Sequence, residues 1–230
     1  MRSIPVAALF VAILPSIAFG GPVRDFENEI RVAYGDYRAA LFQTNTGNAD
    51  KSRAALASFS AKWSRLSLEH VGPPPQYADD PDYAKTVSSI AAIAEAAAKD
   101  VEAGALPKGH ETLEAIRDEI GALHERNGIV SFSDRMNAYH AKMEEILGKD
   151  YAAQPGMLRE DAAILSFLAQ DIASHPPNEA GDPEYDRLRN GMIAATGALL
   201  DGSRSADATI IKNAMDGLKG PYSRFFLKFG

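Results

Sequence analysis

The chain has 230 residues, no cysteine and a formal net charge of −7. The missing cysteines exclude disulfides, thiolate metal sites, thiol nucleophiles and covalently attached c-type haem. An acidic chain with its charges dispersed is also a poor partner for nucleic acid, whose phosphates select a positive surface.

Residues 1–20 read as a secretory signal peptide. Arg2 supplies the positive start, Ile4 to Ile13 the apolar stretch, and Ala18-Phe19-Gly20 a small-residue cleavage context before Gly21. No later apolar run is long enough to span a bilayer, so the expected product is soluble and periplasmic or secreted.

From there on the periodic segments have a helical period. The expected helices are 24–43, 48–70, 81–103 and 108–126, then 132–147, 156–174, 183–200 and 205–227. In the second, Leu56, Phe59, Trp63, Leu66 and His70 step by three and four and share one stripe. Pro73-Pro74-Pro75 ends it, because the residue before a proline is pushed out of the helical region. Asp80-Pro81 then reads as an acidic cap with proline at the first helical position. The third helix carries Tyr83, Val87, Ile90, Ala94, Ala97 and Val101 on one face, and the fourth Leu113, Ile116, Ile120 and Leu123. Asn127-Gly128 closes the fourth helix, and Ser131 with Asp134 forms a capping box for the fifth. The sixth places Leu165, Leu168, Ile172 and His175 in register, Pro176-Pro177 stops it, and Asp182-Pro183 starts the seventh. The last segment is aromatic: Tyr222, Phe225, Phe226 and Phe229 follow Gly220-Pro221, where a kink is expected.

Several of these signals occur twice. Tyr37-x-Ala39 returns as Tyr139-x-Ala141, Pro74-Pro75 as Pro176-Pro177 and Asp80-Pro81-x-Tyr83 as Asp182-Pro183-x-Tyr185, always 102 positions later. A fixed offset of this kind indicates a duplicated unit. The expected architecture is therefore all-α, with two tandem up-down-up-down four-helix bundles over residues 21–128 and 129–230. A single merged eight-helix layer is the alternative.

The Pro-Pro link and acidic stretch from Pro73 to Tyr83, with Ala122-Leu123-His124-Glu125 near the end of the fourth helix, resemble soluble cytochrome b562, a periplasmic four-helix bundle. The resemblance implies haem b held by a histidine and a methionine. The family's histidine falls on His124, whereas its methionine falls near Ile30, and residues 21–130 contain no methionine. The second repeat offers Met136, but the position matching His124 falls near Tyr222. Each copy thus holds one half of a ligand pair.

Helix direction brings His70 and His124 to one end of the first bundle, and His140 and His175 to the corresponding end of the second. The short link from Arg126 to Phe132 makes these the neighbouring ends, so the four histidines form a candidate site for copper, another divalent metal or haem at the inter-repeat junction. His70 and His175 also continue apolar stripes, which suits packing or helix-end capping instead. His110 and Glu114, one turn apart at the far end, are a weaker cation pair. No nucleophile elbow, phosphate loop or zinc-protease motif is present, and a binding protein is expected rather than an enzyme. The competing reading is an accessory protein that docks a partner through helix faces or through Tyr222, Phe225, Phe226 and Phe229.

Overall fold

A computed structural model describes residues 21–151, 155–205 and 207–230. The leader assigned to residues 1–20 lies outside the described residues. The described chain is helical, with no strand among these residues. The helices are α1 (Pro22–Asn45), α2 (Ala49–Glu69), α3 (Tyr83–Glu102), α4 (Leu106–Arg126), α5 (Phe132–Gly148), α6 (Pro155–Ser174), α7 (Pro183–Gly202), α8 (Ala208–Asp216) and α9 (Lys219–Phe229). None is long and apolar enough to cross a membrane.

The helix limits follow from local chemistry. Asn48 caps α2 by accepting from the Lys51 N–H at 3.1 Å, and Asp182 caps α7 by accepting from the Glu184 N–H at 2.8 Å with Pro183 at the first position. Arg126 ends α4, and Gly128 turns the chain at φ 68°, a conformation a side chain would strain. Ser131 and Asp134 then form the reciprocal capping box of α5, with bonds of 3.2 and 2.7 Å. Ser131→Ala is expected to cost about 1 kcal/mol in urea unfolding.

Two boundaries differ from the sequence-based expectation. Asp80 is not a helix cap, since α3 starts at Tyr83. Its carboxylate instead accepts from the Asp82 N–H at 2.9 Å, Arg126 Nε at 2.8 Å and Asn127 Nδ2 at 2.9 Å, tying the turn before α3 to the end of α4. The last helix is not one kinked rod either. It divides into α8 and α9 around Gly217 and Leu218, ahead of Gly220-Pro221, and Leu218 is buried. Pro221 sits within the first turn of α9, where a missing N–H breaks no intrahelical bond.

Packing separates two apolar clusters. α1 packs on α2 and α4, α2 on α3, and α3 on α4, burying Phe26, Tyr37, Phe59, Trp63, Ile90 and Leu123 together. Gly109 lets α3 and α4 close up, since a Cβ there would stand 3.0 Å from Val101 Cγ2. In the other half α5 packs on α6, α6 on α7, and α7 on α8 and α9, around Met136, Tyr139, Leu165, Met192 and Phe225. The 102-residue offset joins buried positions of the two clusters: Tyr37 and Tyr139, Tyr83 and Tyr185, Ile120 and Tyr222, Leu123 and Phe225. At that offset His124 corresponds to Phe226 rather than to a residue near Tyr222.

The halves lie side by side instead of meeting at their ends. α5 runs antiparallel along α4, so Asp134 meets His124 and, two turns further, His140 meets Arg117. α9 lies on α1, and Phe226 packs against both clusters. Tyr34 and Asn137 hydrogen-bond across this seam at 3.0 Å. A lateral seam distributes the junction residues over its whole length.

Candidate functional site

At one end of the first half, antiparallel α1 and α2 place the first turns of α1 beside the last residues of α2. His70 terminates α2, and the edge of its ring meets Phe26 at 4.8 Å between centroids. Its Nε2 lies 3.4 Å from Glu29 Oε2, and Glu69 completes a group whose ligand atoms all lie within 4.8 Å of one another. Both His70 Nε2 and Glu29 Oε2 are sealed from solvent without a hydrogen-bond partner. Buried donors and acceptors are almost always hydrogen-bonded, and these two face each other only as a long ion pair beside a third donor, Glu69, which marks a place where a cation would fit.

His124 lies at the same end but in a different setting. It is 2% exposed, with Nδ1 2.7 Å from Asp134 Oδ2 and Nε2 3.4 Å from Glu27 Oε2. Glu27 Oε1 in turn accepts from Tyr77 Oη at 2.7 Å and Gln76 Nε2 at 2.9 Å. Burial works against the imidazolium, but the bonds to Asp134 and Glu27 outweigh it and raise the pKa to about 9. Burial likewise opposes the Glu27 carboxylate, and the donors His124, Gln76 and Tyr77 outweigh it and hold the pKa below its usual value. His124 is thus a buried cation flanked by two carboxylates, one of them from across the seam, and carboxylate oxygens occupy the approach to both ring nitrogens. Met136, the other expected haem ligand, is fully buried in the second cluster.

The remaining histidines take separate places. His175 is half-exposed and turns back on its own helix, with Nδ1 2.9 Å from the Asp171 carbonyl and 3.1 Å from its Oδ1. His140 stacks on Tyr222 at 5.2 Å, and its Nδ1 is 3.3 Å from Arg117 Nη1. Burial and then the Arg117 charge lower its pKa. His110 Nδ1 lies 3.1 Å from both the Leu41 carbonyl and Thr44 Oγ1, and its Nε2 is 3.9 Å from Glu114.

The expected quartet therefore divides along the seam. His124 and His175 border one cavity of about 440 Å³, His124 and His140 a groove of about 940 Å³, and His140 with His110 a further cavity of about 480 Å³. His70 belongs with Glu29 and Glu69. The pairing of His70 and His124 at one end agrees with their positions at the ends of α2 and α4. Convergence of all four on one junction does not follow, because the halves meet along their sides.

Sequence reasoning missed Glu27, Glu29 and Arg38. Their only signal is their register on α1, where Glu29 falls three positions after Phe26 and Glu27 three before Ile30. The aromatic C-terminus is not a presented surface. Tyr222, Phe225 and Phe229 are buried in the second cluster and Phe226 is wedged between the two, so ring burial overrides the docking role expected for them. Large exposed apolar side chains lie on α6 instead, at Met157, Ile164 and Phe167.

No family model matches this chain, and neither a curated protein nor a solved structure matches it. The fold class thus rests on the helices themselves, and the chemistry on these side-chain groupings.

Proposed function

We propose that the chain is an exported helical-bundle protein that binds rather than catalyses, and that it holds a divalent transition-metal ion through Glu29, Glu69 and His70. The observation that carries this reading is the convergence of three donor residues around two buried atoms without a hydrogen bond, His70 Nε2 and Glu29 Oε2, 3.4 Å apart. A cation between them would satisfy both at once, and Glu69 supplies a third donor. One imidazole with two carboxylates suits Zn²⁺ or Cu²⁺ better than Cu(I), which favours thioether and thiolate sulfur. Three protein donors leave a position for water or for a ligand atom.

Haem coordination by His124 and Met136 has less support, because His124 is buried with Nδ1 held by Asp134 and the thioether is packed in the core of the other cluster. The accessory-protein alternative loses its C-terminal aromatic surface for the reason given above.

Titration calorimetry of dialysed protein with ZnCl₂ and with CuSO₄ tests the metal reading. A single saturable site is expected for the full chain, lost in His70→Ala and weakened at least about tenfold in Glu29→Gln, since ligand-shell changes cost on that order. His175→Ala should bind as the parent does. Equal binding by the His70 and His175 variants, or none by the parent, overturns the assignment.

A further inference from the structure

We propose that the cavity between α1, α4, α5 and α9 is a binding site for an organic monocarboxylate, with the Arg38 guanidinium as its anion receptor. The site is separate from the metal group and does not depend on it.

Arg38 is 8% exposed and borders this cavity of about 480 Å³. No carboxylate pairs with it among the described residues. Its Nε and Nη2 reach only the Leu227 and Lys228 carbonyls, each at 3.4 Å, and its Nη1 is buried with no partner. The guanidinium also lies 5.7 Å from the Tyr34 ring centre. Burial pulls its pKa down to about 10, so the group still carries its charge at neutral pH. An arginine this buried normally has a counter-ion, because an unpaired charge out of water is costly.

The other charges lining the cavity are matched: Arg117 has Glu114 at 3.9 Å, and Lys219 has Glu144 at 3.0 Å. His110 and His140 complete the titratable lining. Three cations thus face two carboxylates in the wall, and the one positive charge left over selects a singly charged anion above phosphate. A planar carboxylate also fits the fork of a guanidinium. Apart from Asn45 and Ser223, the uncharged wall is apolar or aromatic, with Leu41, Phe42, Met143, Tyr222 and Phe226, and it calls for a hydrocarbon or aryl body attached to the carboxylate. The volume falls within the range of small-molecule pockets.

The probes are benzoate, hexanoate and inorganic phosphate, titrated calorimetrically into the full chain, with the melting temperature followed in parallel. Saturable binding of at least one monocarboxylate, with a raised melting temperature, is expected. Arg38→Met keeps an unbranched apolar stem and removes the charge, and should weaken that binding at least about tenfold, the worth of a charge-assisted hydrogen bond. Ser223→Trp serves as a second variant should Arg38→Met fail to fold. It stands on an exposed position of the lining, leaves Arg38 intact, and should also abolish binding by filling the mouth. Binding unchanged in Ser223→Trp, equal affinity in Arg38→Met, phosphate bound as tightly as the carboxylates, or no carboxylate bound by the parent would each overturn the proposal.

Discussion

His124→Ala is expected to destabilise the protein by roughly 3–5 kcal/mol at neutral pH, the usual consequence of removing one member of a buried charge cluster. Glu27 and Asp134 would be left facing each other's field without the cation between them. The pH dependence has a definite sign. The folded pKa of His124 is raised from 6.5 to about 9, so the native state holds its proton more tightly than the unfolded chain. This stabilisation is fully present below pH 6.5 and is lost as the pH rises through about 9, in total on the order of 3 kcal/mol. Urea unfolding between pH 6 and about 10 should show the decline in the parent and a flatter profile in His124→Ala. A parent curve that is flat over that interval would mean that the imidazole is not charged in the folded state.

Trp63→Ala should have an effect of similar size in the other part of the first half. The indole is 1% exposed, stacks on Phe59 at 5.8 Å, and donates from Nε1 to the Val87 carbonyl at 3.0 Å. Truncation removes a large buried surface, opens a cavity between α2 and α3 and takes from that helical carbonyl its second hydrogen bond, for a loss of about 3–5 kcal/mol. Trp63→Phe should lose less, because most of the volume remains. Because Trp63 is the single tryptophan, far-ultraviolet circular dichroism rather than fluorescence should follow these melts. A shift of only a degree or two in Trp63→Ala would show that the site collapses around the missing ring.

The helices were legible because their information is local. The stripe Leu56, Phe59, Trp63 and Leu66 is buried as its spacing requires, and the Ser131–Asp134 box and the Asp182-Pro183 start form from a few consecutive residues. Asp80 was misread for the same reason. Its partners Arg126 and Asn127 lie more than forty positions away, and a local cap pattern carries no trace of them. The candidate sites were legible only where helix direction sufficed, as for His70 and His124 at one end. Glu29 opposite His70, and Arg38 without an acid, depend on how α1 is rotated and on which helix of the other half covers it. The short link after Arg126 allowed α5 to continue the first half or fold back along it, and only long-range packing decides that the halves run side by side.

The seat of α9 against α1 has a kinetic consequence. Arg38 reaches the carbonyl of Lys228, 190 positions further along the chain, and Tyr34 meets the ring of Phe226. The outer face of α1 therefore remains unfinished until the last helix arrives, however early α1 to α4 assemble. Contacts of such long sequence separation close late and slow the search for the native state. During synthesis the half made first would wait with an incomplete flank, and α9 would act as the latch that commits both halves to one cooperative structure.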